Sequence, residues 1–196
     1  DVQEKTEGVA CNSMISLAVD GSGTIWAGSY GHGLYCSRDG IRFEQPDYLK
    51  RLPNDKIMSL LYDENRQLLY IGTNGERIVI LDLKSNQLKL VDAAINKWIR
   101  AFHLDKTGRL WVATSEGTFY YDVDRNVLLN ADIGIAAYHL TNCFVEYDNT
   151  LFIGTAVGLV AYDMKQNKNK VIALGKNNES QNILAMAMGE DQSLWI

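Results

Sequence analysis

Three observations predict an all-β chain built as a β-propeller of four-stranded antiparallel blades. Short β-rich runs alternate with clusters of Gly, Asp and Asn, the pattern of strands joined by tight turns. The aromatic anchors Trp26, Tyr70, Trp111, Phe152 and Trp195 recur 41 to 44 residues apart, and self-similarity at such a period marks a repeat architecture. Each full period holds four β-rich runs, which is the content of one propeller blade.

The first repeat, about 14–53, reads as Met14–Asp20, a turn at Gly21–Gly23, Thr24–Ser29, Gly33–Cys36 and Ile41–Glu44. The second, about 57–95, opens at Ile57–Leu60 and closes through Leu81–Asp82 and Leu88–Leu90. The third, about 99–136, runs from Ile99–Phe102 to Tyr121–Asp122 and Val127–Leu129. The fourth, about 140–180, runs from Leu140–Cys143 to Tyr162–Asp163 and Val171–Leu174, with an extended surface loop expected within 165–182. The fifth, 183–196, stops partway through its second strand, so about four and a half blades are expected in one partial propeller over 1–196. No helix-period segment longer than a turn at Asp92–Asn96 is present.

Counting twelve residues back from the anchors aligns Met14, Ile99, Leu140 and Ile183, with Ile57 one residue further. Two positions on lies a short column, Ser16, Ser59, Ala101, Asn142 and Ala185, and then an apolar one, Leu17, Leu60, Phe102, Cys143 and Met186. Asp20, Asp63 and Asp105 end the first strands, where a short carboxylate accepts turn amides. Gly23 and Gly108 three residues on suit a positive φ, and Asn65 is the expected left-handed stand-in in the second repeat. Gly28, Gly72 and Gly154 in the anchor strands predict close approach of an adjacent backbone.

The chain has 196 residues, 46% hydrophobic and 22% charged, with a formal charge of −5. That balance disfavours a nucleic-acid groove or an anionic membrane surface. No apolar run is long enough to span a bilayer, and the polar N-terminus is no signal peptide. The lack of an initiator Met and the broken motif at Ser193–Ile196 predict one piece of a longer chain. Cys11, Cys36 and Cys143 have no metal-like spacing. Cys143 reads as a buried small hydrophobe, and Cys11 with Cys36 is the one pairing open to a disulfide.

The repeats share the pattern I-x-x-Φ-x-x-D-x-x-G-x-L-W-I-G-T-x-x-G-L-x-x-Y-D. The third copy carries it in Asp105, Gly108, Leu110, Trp111, Thr114, Gly117 and Tyr121-Asp122; the fourth in Leu151, Ile153-Gly154-Thr155, Gly158-Leu159 and Tyr162-Asp163. This resembles the two-component-regulator propeller repeat, known from periplasmic sensor regions of hybrid two-component systems in Bacteroides-type bacteria. The resemblance covers nearly the whole chain, from Met14 to Ile196. Tyr70 and Phe152 replace Trp, Ala113 replaces Gly, and the first repeat lacks the Tyr-Asp ending. It implies a non-enzymatic, periplasmic ligand-sensing segment of an inner-membrane protein, reading oligosaccharides from glycan breakdown. It also implies, as partners, the remaining blades and signalling domains of a longer chain, acting through a homodimer.

Ligands of propellers meet the loops before the first strand and between the second and third. Those loops bring forward Tyr30, His32, Arg77, Trp98, Tyr138 and His139 as candidate ligand-binding residues. Aromatic rings beside polar donors suit the C–H faces and hydroxyl edges of a sugar, although each residue is equally an ordinary loop residue. Trp98 is the sharpest candidate, because its column otherwise holds Lys56, His139 and Asn182. His103, in an inner strand, reads as structural. No catalytic residue, metal or cofactor is predicted: His32, His103 and His139 lack metal spacing, and Gly31-His32-Gly33 is too short for a phosphate loop. Two further readings stand beside the sensor: a protein-interaction propeller with no small ligand, and a lyase resembling the streptogramin-inactivating propellers. The lyase would need paired histidines and a metal on one face, whereas His32 and His139 fall in non-adjacent repeats.

Overall fold

β-branched and aromatic runs bounded by Asp- and Gly-rich turns fold here as short antiparallel strands. The computed structural model describes residues 13–75, 77–91, 97–122, 125–134, 140–174 and 181–196. The chain divides into two compact units, 1–90 and 91–196. In the first, β1 (Met14–Val19), β2 (Ile25–Ser29) and β3 (Leu34–Ser37) form one sheet in that order, and a 3-10 turn spans Leu49–Arg51. Its second sheet is β4 (Ile57–Asp63), β5 (Leu68–Thr73), β6 (Ile78–Asp82) and β7 (Gln87–Leu90).

The second unit holds β8 (Ile99–Leu104), β9 (Leu110–Thr114), β10 (Gly117–Asp122) and β11 (Val127–Asn130) as one sheet. Next come β12 (Thr141–Tyr147), β13 (Thr150–Thr155), β14 (Gly158–Asp163) and β15 (Lys168–Ile172), then a pair, β16 (Ala187–Met188) with β17 (Leu194–Trp195). These sheets are propeller blades, so the chain is all-β and a partial propeller.

Several details differ from expectation. Blade one has three strands; Glu44 meets Cys36 only as an isolated bridge, with N–H···O distances of 2.9 Å in both directions. Asp39 gathers the amides of Ile41 and Arg42 at 2.8 and 2.9 Å, which curls this segment away from regular pairing. In the fourth repeat the columns shift by one: Cys143, not Asn142, pairs with Gly154, and Phe144, not Cys143, holds the apolar position opposite Ile153. The cause is the β12–β13 turn, where Tyr147 pairs directly with Thr150, shortening the count back from Phe152. In the second repeat Gln67 adopts the positive φ, at 54°, rather than Asn65, because Asp63 draws in the Arg66 amide and guanidinium instead. Lys168–Ile172, expected partly as loop, pairs with β14 as a strand. The turn expected at 92–96 lies outside the described residues.

Each unit has its own core. In the first, Trp26, Leu34, Ile57, Leu69 and Ile71 are buried together, and Leu60 and Tyr62 of β4 pack onto them. In the second, Trp111, Leu151, Ile153 and Tyr162 are buried, with Phe144 against them. Trp111 and Tyr162 meet edge to face at 5.3 Å between centroids, a favoured aromatic geometry. The anchor-strand glycines make room for a side chain and not, as expected, for a backbone. A Cβ on Gly28 would collide with Ser16 Oγ of its own blade and lie 2.5 Å from Ile57 Cγ2; one on Gly154 would lie 2.6 Å from Cys143 Sγ and 2.7 Å from Ile183 Cγ2. The cross-strand Ser16 or Cys143 and the isoleucine opening the following repeat fill that space together.

The turn carboxylates do more than receive amides. Asp105 accepts from the Thr107 amide (2.9 Å) and hydroxyl (2.6 Å), the Arg109 amide (3.0 Å) and the Trp111 indole Nε1–H (2.9 Å). Asp20 repeats this with Ser22, Thr24 and Trp26. Burial raises each carboxyl's pKa, but the hydrogen bonds from the hydroxyl, indole and amides outweigh it and hold both below the usual value. The outer hairpins use a second device. Asp82, Asp122 and Asp163 cap amides of their turns, and Asn86, Asn126 and Asn167 follow with φ of 57°, 56° and 51°. The Tyr121 and Tyr162 hydroxyls donate to Asn126 and Asn167 at 2.7 and 3.0 Å.

Candidate functional site

The loops expected to carry specificity hang from one repeated clasp. The Ser or Thr ending each anchor strand donates its hydroxyl to the carbonyl across the hairpin base: Ser29 to Gly33 (3.0 Å), Thr73 to Arg77 (2.8 Å), Thr114 to Gly117 (2.9 Å) and Thr155 to Gly158 (2.8 Å). The same oxygen accepts a loop amide, from His32, Arg77, Glu116 and Val157 respectively. All four hydroxyl residues are fully buried. A polar atom in such a place needs a partner, and the hairpin base supplies it. Candidate residues therefore project from a rigid root.

In the first unit the structure brings Tyr30, Lys56 and Asn74 together. The Tyr30 ring is 45% exposed; Asn74 Nδ2 donates to its hydroxyl at 3.1 Å, and Lys56 Nζ lies 5.4 Å from the ring centroid. The segment before β4 stitches the loops: the Gly31 and Gly33 amides donate to the Asp55 carbonyl at 3.1 and 2.8 Å. Asn54 Nδ2 donates to the Asn74 carbonyl at 3.0 Å. His32 and Arg77 are exposed on the two loops flanking this cluster, and Gln45 holds the His32 carbonyl at 3.1 Å. Column reasoning treated Lys56 only as Trp98's counterpart and passed over Asn54. Column alignment gave no signal for it, because this segment touches loops about half a period away, as in Asn54 with Asn74.

In the second unit Trp98 is 47% exposed. Its amide donates to Ser115 Oγ at 3.2 Å, and its carbonyl accepts from the Ser115 amide at 3.0 Å, so the indole stands on a fixed backbone. Lys97 beside it is ion-paired to Glu116 and sits 5.4 Å from the Phe119 centroid. Tyr138 and His139 lie outside the described residues. Leu140, not His139, takes the Trp98 position in the next blade, since the Ala156 amide donates to the Leu140 carbonyl. This is the same one-residue shift as in the inner columns. His103 is structural, its Nε2 lying 3.0 Å from Glu146 Oε2 on β12.

Among the described residues, two of the open depressions lie in the first unit, and neither of these contains the candidates. One, of about 430 Å³, lies beside β7 with Tyr48, Arg51, Pro53 and Leu88 in its wall. The other, of about 370 Å³, lies by the β1–β2 and β4–β5 turns, with Asp20, Tyr62 and Glu64. Cys36 and Cys143 are free thiols; Cys36 is buried, whereas Cys143, expected to be buried, is half-buried. Cys11 lies outside the described residues. Burial pushes the Cys143 thiol up to about 11, against smaller opposing effects of the Gly154 amide and the Arg100 charge. Among the described residues no group of His, Cys, Asp and Glu is arranged to hold a metal, and no helix is long and apolar enough to cross a membrane.

Residues 94–116 match the family described as two component regulator propeller. Curated protein sequences contain no match to the chain. Among solved structures, it resembles the extracellular domain of a protein described as a hybrid two-component system of B. thetaiotaomicron. The TM-score there is 0.79 at 19% identity, covering 98% of this chain and 26% of that one. A second such extracellular domain from the same organism gives a TM-score of 0.57 at 17% identity over 95% of this chain and 31% of its own. Virginiamycin B lyase from Staphylococcus aureus gives 0.72 at 12% identity, over 93% of this chain and 62% of the lyase. Residues 94–116 thus match one copy of that repeat, and the chain spans about a quarter to a third of the two extracellular domains it resembles.

Proposed function

We propose that this chain is a non-enzymatic, periplasmic ligand-sensing segment of a hybrid two-component signalling protein, and that its ligands are oligosaccharides from glycan breakdown. The single observation carrying the ligand class is the Tyr30 cluster: an exposed ring held by Asn74 under the Lys56 ammonium. A ring fixed this way offers a sugar an apolar face with hydroxyl partners at its edge, and little side-chain freedom remains to be lost on binding. Trp98, exposed on a backbone tied to Ser115, offers a second such ring in the other unit. The family match and the likeness to two extracellular sensor domains support the signalling context. In this reading further blades and signalling domains of a longer protein complete the machine. Ligand affects output by binding one arrangement of a homodimer better than another, since only differential affinity shifts an equilibrium.

Calorimetric titration of the chain with a panel of neutral oligosaccharides tests the proposal. Binding is expected, with Tyr30→Ala or Trp98→Ala weakening it about tenfold, as loss of an aromatic platform worth about 1–1.5 kcal/mol requires. No heat from any member of the panel would remove the glycan reading. A protein partner is the second reading, favoured by the exposed row Ile15, Leu17 and Val19 on β1; it predicts retention of a protein ligand unaffected by added sugar.

A further inference from the structure

The third and fourth blades close their outer hairpins with a tyrosine that the second blade lacks. Tyr121 and Tyr162 donate their hydroxyls to Asn126 Oδ1 and Asn167 Oδ1 at 2.7 and 3.0 Å. The second blade keeps the rest of the turn: Asp82 caps the Lys84 and Ser85 amides, and Asn86 holds a φ of 57°. At the tyrosine position, however, stands Leu81, fully buried in the core. Asn86 is exposed, and among the described residues its side-chain amide has no hydrogen-bond partner. It stands instead in the wall of the open depression beside β7.

That depression, of about 430 Å³, lies between the connection entering the second blade and β7, and Tyr48, Arg51, Pro53, Leu88 and Leu90 line it with Asn86. Its apolar walls are fixed. Tyr48 and Leu88 pack on the first core, and Leu49, 1% exposed, pins the 3-10 turn between Tyr48 and Pro53. Leu88 and Leu90 share one face of β7, as alternate residues of a strand do. Arg51 is exposed. The neighbouring acid, Asp47, is held by Lys50 at 2.8 Å, and the guanidinium has no ion-pair partner among the described residues. Apolar walls carrying a few polar groups, in a hollow of this size, are the make-up of a small-molecule site.

We propose that this depression binds a small phenolic carboxylic acid. The aromatic ring lies against Tyr48, Leu88 and Leu90, and the carboxylate accepts from the Arg51 guanidinium. The phenol hydroxyl donates to Asn86 Oδ1, the bond that Tyr121 and Tyr162 make within their own blades. A guanidinium–carboxylate bond is charge-assisted and directional, so the site discriminates an acid from its neutral counterpart. One cation in mostly apolar walls suits a monoanion better than a phosphate. It also disfavours a neutral sugar, whose hydroxyls would face Pro53, Leu88 and Leu90 unpaired. Tyr30, His32 and Arg77 do not line the depression, so the site is independent of the neutral-sugar reading given above.

The test is a ligand-observed saturation-transfer NMR titration of the 196-residue chain with para-hydroxybenzoate, para-hydroxybenzamide and benzoate. Para-hydroxybenzoate should bind tightest. The amide, which lacks the charge, should bind about tenfold more weakly, and benzoate, which lacks the hydroxyl, about three- to tenfold more weakly. Arg51→Gln should weaken para-hydroxybenzoate about tenfold and leave the amide unchanged. Asn86→Gly, which keeps the positive φ accessible, should bring para-hydroxybenzoate down to the level of benzoate. Both side chains are exposed, so neither change empties the core. Binding of no probe overturns the proposal, as does equal affinity for the acid and its amide. Equal acid binding by the parent and Arg51→Gln chains overturns it too. A preference for para-hydroxybenzoate over benzoate that is absent, or that survives Asn86→Gly, overturns the phenol assignment.

Discussion

Replacing Asp105 by Ala probes the bond between sequence pattern and stability most directly. The carboxylate serves four donors, but they are not equally dependent on it. Thr107 and Arg109 are exposed, so their amides turn to water when the carboxylate is removed. Trp111 is 1% exposed, and its indole N–H has nowhere to go. A stranded buried donor costs about 1–3 kcal/mol, and charge-assisted bonds lie at the upper end, so the expected loss is about 2–4 kcal/mol. Asp105→Asn keeps an acceptor and should lose roughly half as much. Urea denaturation followed by far-ultraviolet circular dichroism measures both. Combining Asp105→Ala with Trp111→Phe should cost at least 1 kcal/mol less than the sum of the single changes, because the second removes the donor that the first strands. Additivity within about 0.5 kcal/mol would refute the claim that this bond matters. The pH dependence gives an independent reading. The folded carboxyl sits below its ordinary value of 3.8, so its stabilisation is fully present above that value and is lost as pH falls through the folded pKa. Asp105→Asn should flatten that acid limb.

Other expectations follow from the same geometry. Gly154→Ala would set a Cβ 2.6 Å from Cys143 Sγ and 2.7 Å from Ile183 Cγ2, so it should destabilise by about 1–3 kcal/mol. Cys143→Ala should relieve only part of that loss in a thermal melt. Gln192 holds a φ of 66° where Gly23 and Gly108 stand in sister turns; Gln192→Gly should stabilise by about 0.5–1 kcal/mol, seen as a raised denaturation midpoint. The Cys143 thiol, pushed up to about 11, should resist iodoacetamide at pH 8 in the native chain and react at once in urea, as peptide mass spectrometry would show. Rapid native labelling would contradict the raised thiol and its partial burial.

The fold was legible because the period is carried by residues with fixed physical duties. Trp26, Trp111, Asp20 and Asp105 recur for reasons of burial and turn chemistry, and these do not depend on what a blade does. The fourth repeat was misaligned by one residue because counting from Phe152 presumes a constant turn length, and the Tyr147–Thr150 connection is short. The Asp-x-x-x-Asn spacing of the outer hairpins was visible in three copies, at Asp82, Asp122 and Asp163, but strand propensity alone gave no reason to weigh it. Of the candidate site, Tyr30 and Trp98 were readable as aromatic departures in loop columns. The Asn54 contact with Asn74 was not, since it joins residues about half a period apart in an irregular connection.

The hydroxyl clasp beneath the loops separates two selective pressures that act on the same hairpin. Below Ser29, Thr73, Thr114 and Thr155 every blade must satisfy the same two bonds; above them, Tyr-Gly-His, Ser-Glu and Ala-Val are alternative inserts on one socket. Loop cassettes can therefore be exchanged between blades, or drawn from a library, without redesigning the strands that hold them. A chain of this kind can change what it recognises one blade at a time while its framework stands still.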